Sequence, residues 1–302
     1  MSKIEYVAKE FTPEHQSVID NANAIITIYQ AKGYKLTLRQ LYYQFVARAL
    51  LPNTDQNYKR LGGIINDGRL AGEIDWNAIE DRTRNLQTLS SWDSPGDIIE
   101  AVAEQFRLDL WESQPDRLEV WVEKEALAGI FQRICNELRV PYIACRGYMS
   151  QSEMWATAMR FRDYIDNGQT PRIFHFGDHD PSGIDMSRDI KDRLAVFGID
   201  MDGGEADFER LALNMNQVKQ YNPPPNPAKL TDSRCSGYLT KFGNKSWELD
   251  ALDPDVLADL VRDAVAQCLD QKAWDKALKA EDEHKRKLGV VSAKWDKLTA
   301  KL

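Results

Sequence analysis

Apolar residues recur along this chain with two different periods, and the change between them falls near Leu118. Before it the spacing is helical. Val18, Ile19, Ala22, Ile25, Ile26 and Tyr29 mark one face of a helix that Thr12-Pro13 starts and Gly33 closes. Thr37 opens a second helix, with Gln40 completing a capping box, and Leu38, Leu41, Tyr42, Phe45, Val46 and Ala49 form its core stripe. A third helix is expected from Asp55 to Asp67, carrying Tyr58, Leu61, Ile64 and Ile65, with a turn and short strands following in Gly68 to Ile79. Three short helices and a β excursion predict a winged-helix or related helix-turn-helix module.

Beyond Leu118 short apolar runs alternate with amphipathic ones. Strands are expected at Leu118 to Val122, Tyr142 to Cys145 and Ile173 to Gly177, and helices at Ala126 to Leu138, Gln151 to Asn167 and Ile184 to Phe197. Such β-α repetition predicts a parallel sheet with covering helices. The expected fold class is therefore α/β, with a helical domain over residues 1–112 and a parallel-sheet domain over 113–302. The run Pro223-Pro224-Pro225-Asn226-Pro227 reads as an extended surface loop, Pro254 to Leu269 as an amphipathic helix, and Trp274 to Leu302 as a charged helical tail.

Two of the strands run out into acid. Glu123 follows Leu118 to Val122, and Asp178-His179-Asp180 follows Ile173 to Gly177. In an open α/β sheet the ligand crevice lies at the carboxyl ends of the strands, so Glu123, Asp178 and Asp180 should converge there. Acids that close together need a cation, and an all-oxygen donor set has the profile of a Mg²⁺ or Mn²⁺ site that handles phosphate. Taken singly, an Asp-x-Asp after a strand is as readily a turn or a helix cap. Glu123 to Ala126 and Pro181 to Gly183 each open a helix, which would add free N–H groups beside the crevice and suits phosphate.

On the second helix Tyr42 falls on the apolar stripe, whereas Tyr43 lies about 100° away and is expected to be exposed. Arg39, four residues earlier, shares its face. A neighbouring cation favours the phenolate and can hold a phosphate oxygen; the bland alternative is a surface tyrosine beside an arginine. His175 alternates away from Phe174 and Phe176 and reads as a packed, hydrogen-bonded histidine, and His179 as more open.

With 302 residues and 43% apolar content the chain can bury a proper core. A net charge of −8 argues against polyanion binding by overall attraction, though a local basic groove is still compatible with DNA. Lys229, Arg234 and Lys241 are candidates for such a groove, and a solvated basic loop is the plainer reading. No run approaches the ~20 apolar residues that span a bilayer, and the start lacks an apolar signal region, so the expected location is cytoplasmic and nucleoid-associated, without a membrane. Cys135, Cys145, Cys235 and Cys268 are widely spaced and read as small buried hydrophobes.

The string Val122-Glu123-Lys124-Glu125-Ala126, the Arg146-Gly147-Tyr148 triplet and Gly177 to Met186 (GDHDPSGIDM) resemble the Toprim domain of the topoisomerase VI A subunit and its meiotic double-strand-break relative. Leu38 to Tyr43 (LRQLYY) is similar to the motif carrying that family's catalytic tyrosine, and the motifs occur in the family's order. The resemblance covers Thr37 to Met186; the chain is short for an A subunit and resembles the compact, phage- and plasmid-borne stand-alone versions. It implies a winged-helix domain followed by a Toprim-like domain, Tyr43 as nucleophile, Arg39 assisting at the phosphate, and Glu123, Asp178 and Asp180 holding Mg²⁺ or Mn²⁺. It further implies double-stranded DNA as substrate, a 5′-phosphotyrosyl intermediate, and a homodimer in which the tyrosine of one protomer meets the acids of the other. Ser182 stands where those A subunits usually carry an aromatic residue, and Asn222 to Asp253 has no clear counterpart.

Three rivals stay open. A Toprim nuclease keeps the metal and cleaves with activated water. A haloacid-dehalogenase-like phosphotransferase would use the first Asp of its Asp-x-Asp as nucleophile, but Ser182 and the late position of the motif fit it poorly. A DNA-binding partner without chemistry is the third. No G-x-x-x-x-G-K-[ST] loop is present, so any ATPase would act in trans.

Overall fold

The computed structural model describes residues 3–80, 89–228 and 235–299. Three helices come first, α1 (Pro13–Ala31), α2 (Leu38–Ala47) and α3 (Asp55–Leu70). Their starts are fixed by side chains that satisfy otherwise orphaned N–H groups. Thr12 Oγ1 accepts from His15 N, and at α2 both arms of the capping box form, Gln40 N to Thr37 Oγ1 at 3.2 Å and Thr37 N to Gln40 Oε1 at 2.8 Å. The short strands expected in Gly68 to Ile79 are absent. Asp75 Oδ1 accepts from Asn77 N in a tight turn and Gly72 sits at φ +73°, so the segment makes only single-residue bridges, Ala71 to Glu5 and Ile79 to Leu36.

A helix α4 (Pro95–Gln105) leads to the sheet, whose strands β1 (Asp116–Val122), β2 (Tyr142–Ala144), β3 (Thr170–Phe176) and β4 (Asp207–Ala212) lie in the order β2-β1-β3-β4. All neighbours are parallel. Between them run α5 (Ala128–Leu138), entered through a 3₁₀ turn at Glu125–Leu127, α6 (Gln151–Asp166) and α7 (Pro181–Val196). After β4 come α8 (Met215–Tyr221), a two-stranded ribbon of β5 (Asn226–Pro227) and β6 (Lys245–Ser246) enclosing α9 (Cys235–Phe242), and then α10 (Pro254–Cys268), α11 (Gln271–Ala293) and α12 (Trp295–Thr299). The proline-rich loop thus carries more structure than its composition implied. Lys229 and Arg234 lie outside the described residues.

Strand alternation sorts the core. Val120, Val122, Phe174 and Phe176 join a cluster that takes in Ile19 and Phe45 from the first helices, Phe131 of α5 and Val261 of α10. On the other face Trp121 and Ile173 pack with Met154 and Phe161 of α6 and Leu194 of α7. The larger cluster is continuous across residue 112, so the first helices and the sheet share one core. At the far end α4 packs on α11, with Glu281 accepting from Leu108 N and pairing with Arg139. Cys135 and Cys145 are buried and Cys268 is half-buried, all as free thiols. No helix among the described residues is long and apolar enough to cross a membrane.

Candidate active site at the carboxyl edge of the sheet

The path from β2 to β3 passes over β1, so the connections leaving β1 and β3 cover opposite faces and open a crevice between the two strand ends. Glu123 and Asp178 stand at that point. Glu123 N donates to Phe176 O at 2.8 Å, and Glu123 Oε2 accepts from Asp178 N at 2.8 Å, so the side chain of one acid fixes the backbone of the other. Asp180 caps α7, accepting from Gly183 N at 2.7 Å and Ser182 Oγ at 2.9 Å through Oδ1. Arg210 from β4 ties the loop down, donating to Gly177 O, Asp178 O, Gly183 O and Ser187 Oγ. Burial lowers its guanidinium to about 10 against the pull of Glu123, Asp178 and Asp180.

Two further acids come from a segment that carried no motif. Glu248 and Asp250 follow β6, and with Asp178 they form the group of described residues whose ligand atoms all lie within 4.8 Å of one another and could hold a metal ion. The Leu249 N–H between them donates to Asp178 Oδ1 at 2.8 Å, which locks the segment to the strand end. Lys124 Nζ sits among all three carboxylates, 2.9 Å from Asp178 Oδ2, 3.2 Å from Asp250 Oδ1, and paired with Glu248 Oε2. Arg39 of α2 reaches the same pair from the other side, Nη2 to Glu248 Oε2 at 3.0 Å and Nε to Asp250 Oδ2 at 3.1 Å. Glu123 and Asp180 adjoin this group from the strand end and the helix cap without belonging to it.

Burial raises Asp178 well above the usual carboxylate value, Glu123, Glu248 and Asp250 add to that rise while Lys124 opposes it, and burial raises Glu123 as well. Lys124 is held above its ordinary value because Asp250, Asp178 and Glu248 together outweigh the burial that disfavours its charge. With all five acids ionised, Lys124, Arg39 and Arg210 leave two negative charges uncompensated in a crevice largely shielded from water. That deficit is the charge of one divalent ion, the donors are all oxygen, and Asp250 Oδ2 is buried without a well-directed hydrogen bond. The residues present therefore fit a hard divalent cation.

The two adjacent tyrosines differ in their hydroxyls. Tyr42 Oη donates to Thr54 O at 2.9 Å and accepts from Thr54 N at 2.7 Å, so it is committed to holding the turn before α3. Both tyrosines line a cavity of about 470 Å³ together with Arg39, Asp55, Asp180 and Glu248, but Tyr43 is not committed to that turn. The expectation that Tyr43 is exposed is overturned: it is only 4% exposed, and the 3₁₀ turn at Leu249–Ala251 packs on α2. Burial, with Asp250 and Glu248, pushes its phenol up to about 12, and Arg39 and Lys124 counter this only in part. Arg39 stands 5.8 Å from the Tyr43 ring centroid, but its charge is engaged by the acids. Tyr43 and the acids meet here within one chain, where the resemblance called for two.

His175 is buried with Nδ1 3.0 Å from Ser187 Oγ, the packed histidine expected. His179 is not open. It is 2% exposed, its ring set edge-on among Tyr238, Phe242 and Trp247, with Nδ1 2.8 Å from Tyr238 Oη. His179 and Trp247 also exchange both backbone hydrogen bonds. This clamp is what carries Glu248 and Asp250 to the strand end. Burial lowers His179 to about 4, so it is neutral and suited to packing. Lys241 is exposed on α9.

Gly183 is where α7 comes closest to the acids, and a Cβ there would overlap the Asp178 carbonyl oxygen. Gly183→Ala is expected to shift the first turn of α7, break its bond to Asp180, and cost about 1–3 kcal/mol. Thermal melting and Mn²⁺ titration would check this; wild-type values in both would contradict the packing described. Neither the known family models nor the curated proteins match this chain.

Proposed function

We propose that this protein is a metal-assisted DNA transesterase, resembling the topoisomerase VI A type, in which Tyr43 is the nucleophile. The observation that carries the reading is the shared cavity: Tyr43 and Arg39 line it together with Asp180 and Glu248, at the edge where Asp178 and Asp250 also converge. Asp55, Asp180 and Glu248 make that cavity acidic, and a phosphate would be repelled from it without an added cation. Asp178, Glu248 and Asp250, with Glu123 and Asp180 beside them, would hold Mg²⁺ or Mn²⁺, which supplies charge stabilisation at the phosphate and the departing oxygen.

The chain's own residues do the rest. The Tyr43 oxygen attacks phosphorus as the P–O3′ bond breaks, giving a 5′-phosphotyrosyl link and a free 3′-hydroxyl. The phenolic proton passes to a carboxylate on the cavity wall, Asp180 or Glu248, and the 3′ oxygen takes up a proton. Arg39, freed from Glu248 and Asp250 when their charge is met otherwise, lies four residues from Tyr43 on the same helix and can grip a phosphate oxygen. Because the link conserves the phosphodiester's energy, the step can reverse. In this reading the first helices are the winged-helix-like DNA module and the sheet is Toprim-like, with double-stranded DNA as partner and a homodimer as the assembly.

One observation favours a second reading. A phenol buried to 4% and pushed up to about 12 is a poor nucleophile, so a water-using nuclease on the same acids is the alternative. Incubation of supercoiled plasmid with protein and Mg²⁺ or Mn²⁺, followed by denaturation, separates the two. Cut DNA carrying protein at its 5′ ends supports the transesterase, cut DNA with unmodified ends supports the nuclease, and intact DNA defeats both.

A further inference from the structure

Lys124 occupies the position among Asp178, Glu248 and Asp250 that a divalent ion would need. Its ammonium contacts one oxygen of each, the same three residues whose donor atoms lie within 4.8 Å of one another. Side-chain exposure is 18% for Lys124 and 7% or less for Asp178 and Asp250, so water contributes little to screening in this group. An ammonium sits about 2.9 Å from carboxylate oxygens whereas Mg²⁺ or Mn²⁺ binds at about 2.0–2.2 Å, so both cannot use the same three oxygens at once. Two cations that close would also repel strongly in a poorly hydrated crevice.

We propose that Lys124 is a displaceable counter-ion: it holds the three carboxylates together in the metal-free protein and must give up these contacts for a divalent cation to bind. Lys124 is thus a positioning residue that opposes metal binding, and it makes occupancy of the site reversible. Sequence supports the geometry, because Lys124 directly follows Glu123 at the end of β1 and extends along the same crevice. In the metal-free protein Arg39 braces Glu248 and Asp250 from the α2 side. The inference rests on the metal half of the proposed function and is independent of whether Tyr43 attacks DNA.

The test is calorimetric titration of the full chain with MnCl₂, alongside thermal melting with and without Mn²⁺, for wild type, Lys124→Met and Lys124→Gln. Both variants are expected to bind Mn²⁺ about tenfold tighter or more, the scale of one removed charge at this separation, and to melt lower than wild type without metal. A merely structural lysine gives the opposite sign, weaker binding in a loosened site. Unchanged or weaker Mn²⁺ affinity in a folded variant overturns the proposal, and so do variants unfolded both with and without Mn²⁺. Variants that fold only with Mn²⁺ support it. If neither wild type nor variants bind Mn²⁺, the inference and the metal site fall together; if binding tightens but no protein-linked DNA ever forms, the inference stands and the tyrosine reading falls.

Discussion

Tyr43→Phe is expected to remove protein-linked DNA ends completely and to lower strand cleavage on the order of 10³-fold or more, with the fold retained. The change deletes one oxygen and keeps the ring that packs against the 3₁₀ turn at Leu249–Ala251. Stability should fall by no more than about 1 kcal/mol, the usual net value of one hydrogen bond. Its neighbour gives the internal control. Tyr42→Phe strips the turn before α3 of both its contacts with Thr54, whose carbonyl still accepts from Tyr58 N, so it should destabilise by about 1–2 kcal/mol while leaving the covalent link intact. A plasmid-cleavage assay with denaturing work-up, run beside thermal melting, reads both variants. Undiminished cutting by Tyr43→Phe would leave only the hydrolytic reading.

The second large effect is on stability, and its sign follows from Asp178 and Glu123. Burial raises both above the ordinary carboxylate value, so the folded chain keeps protons that the unfolded chain has already released. Their contribution is fully present below the unfolded values of about 4 and is lost as pH rises through the raised folded ones. His175 and His179 work in the opposite sense. They are buried neutral, lowered to about 3 and about 4, so the stability they represent is present above the unfolded value of about 6.5 and lost as pH falls. The raw pH curve mixes the two, but the increment due to Mg²⁺ does not, because the histidines are common to both states. Ionised acids are what a divalent ion binds, and the Mg²⁺-dependent rise in melting temperature should be largest near pH 8 and shrink steadily toward pH 5. At a hundredfold excess over the dissociation constant it amounts to about 2.7 kcal/mol, or several degrees. Asp178→Asn should abolish it at every pH; a Mg²⁺ increment that is flat with pH, or survives that substitution, would contradict the metal site.

Local chemistry made part of this architecture legible. The Thr12 and Thr37 caps, the stripe of α2 as far as Val46, and the buried runs of β1 and β3 are short-range signals that formed close to where the sequence put them, whereas Ala49, expected on that stripe, lies past the end of α2 at φ +55° and is exposed. Strand β4 (DFERLA) gave none, because at the sheet edge it is half-exposed and carries charge at alternate and adjacent positions alike. For the site, the same division holds. Strand ends located Glu123, Asp178 and Asp180, whereas Glu248 and Asp250 reach Asp178 across about seventy residues of chain, through a clamp around His179 that no local pattern encodes. Their one signal was two acids separated by a single residue, Glu248-Leu249-Asp250, directly after Trp247. Helical phase correctly separated Tyr43 from the α2 stripe and still failed to give its exposure, since a second surface covers the face it points to.

The most direct measurement is to trap the denatured protein–DNA product, digest it with nuclease and trypsin, and fragment the peptide spanning residues 40–48, which contains both Tyr42 and Tyr43. The expected result is a residual 5′-nucleotide on the Tyr43 oxygen, formed only when Mg²⁺ or Mn²⁺ is present. An unmodified peptide from a reaction that has cut its DNA, or a nucleotide on any other residue, would contradict the account.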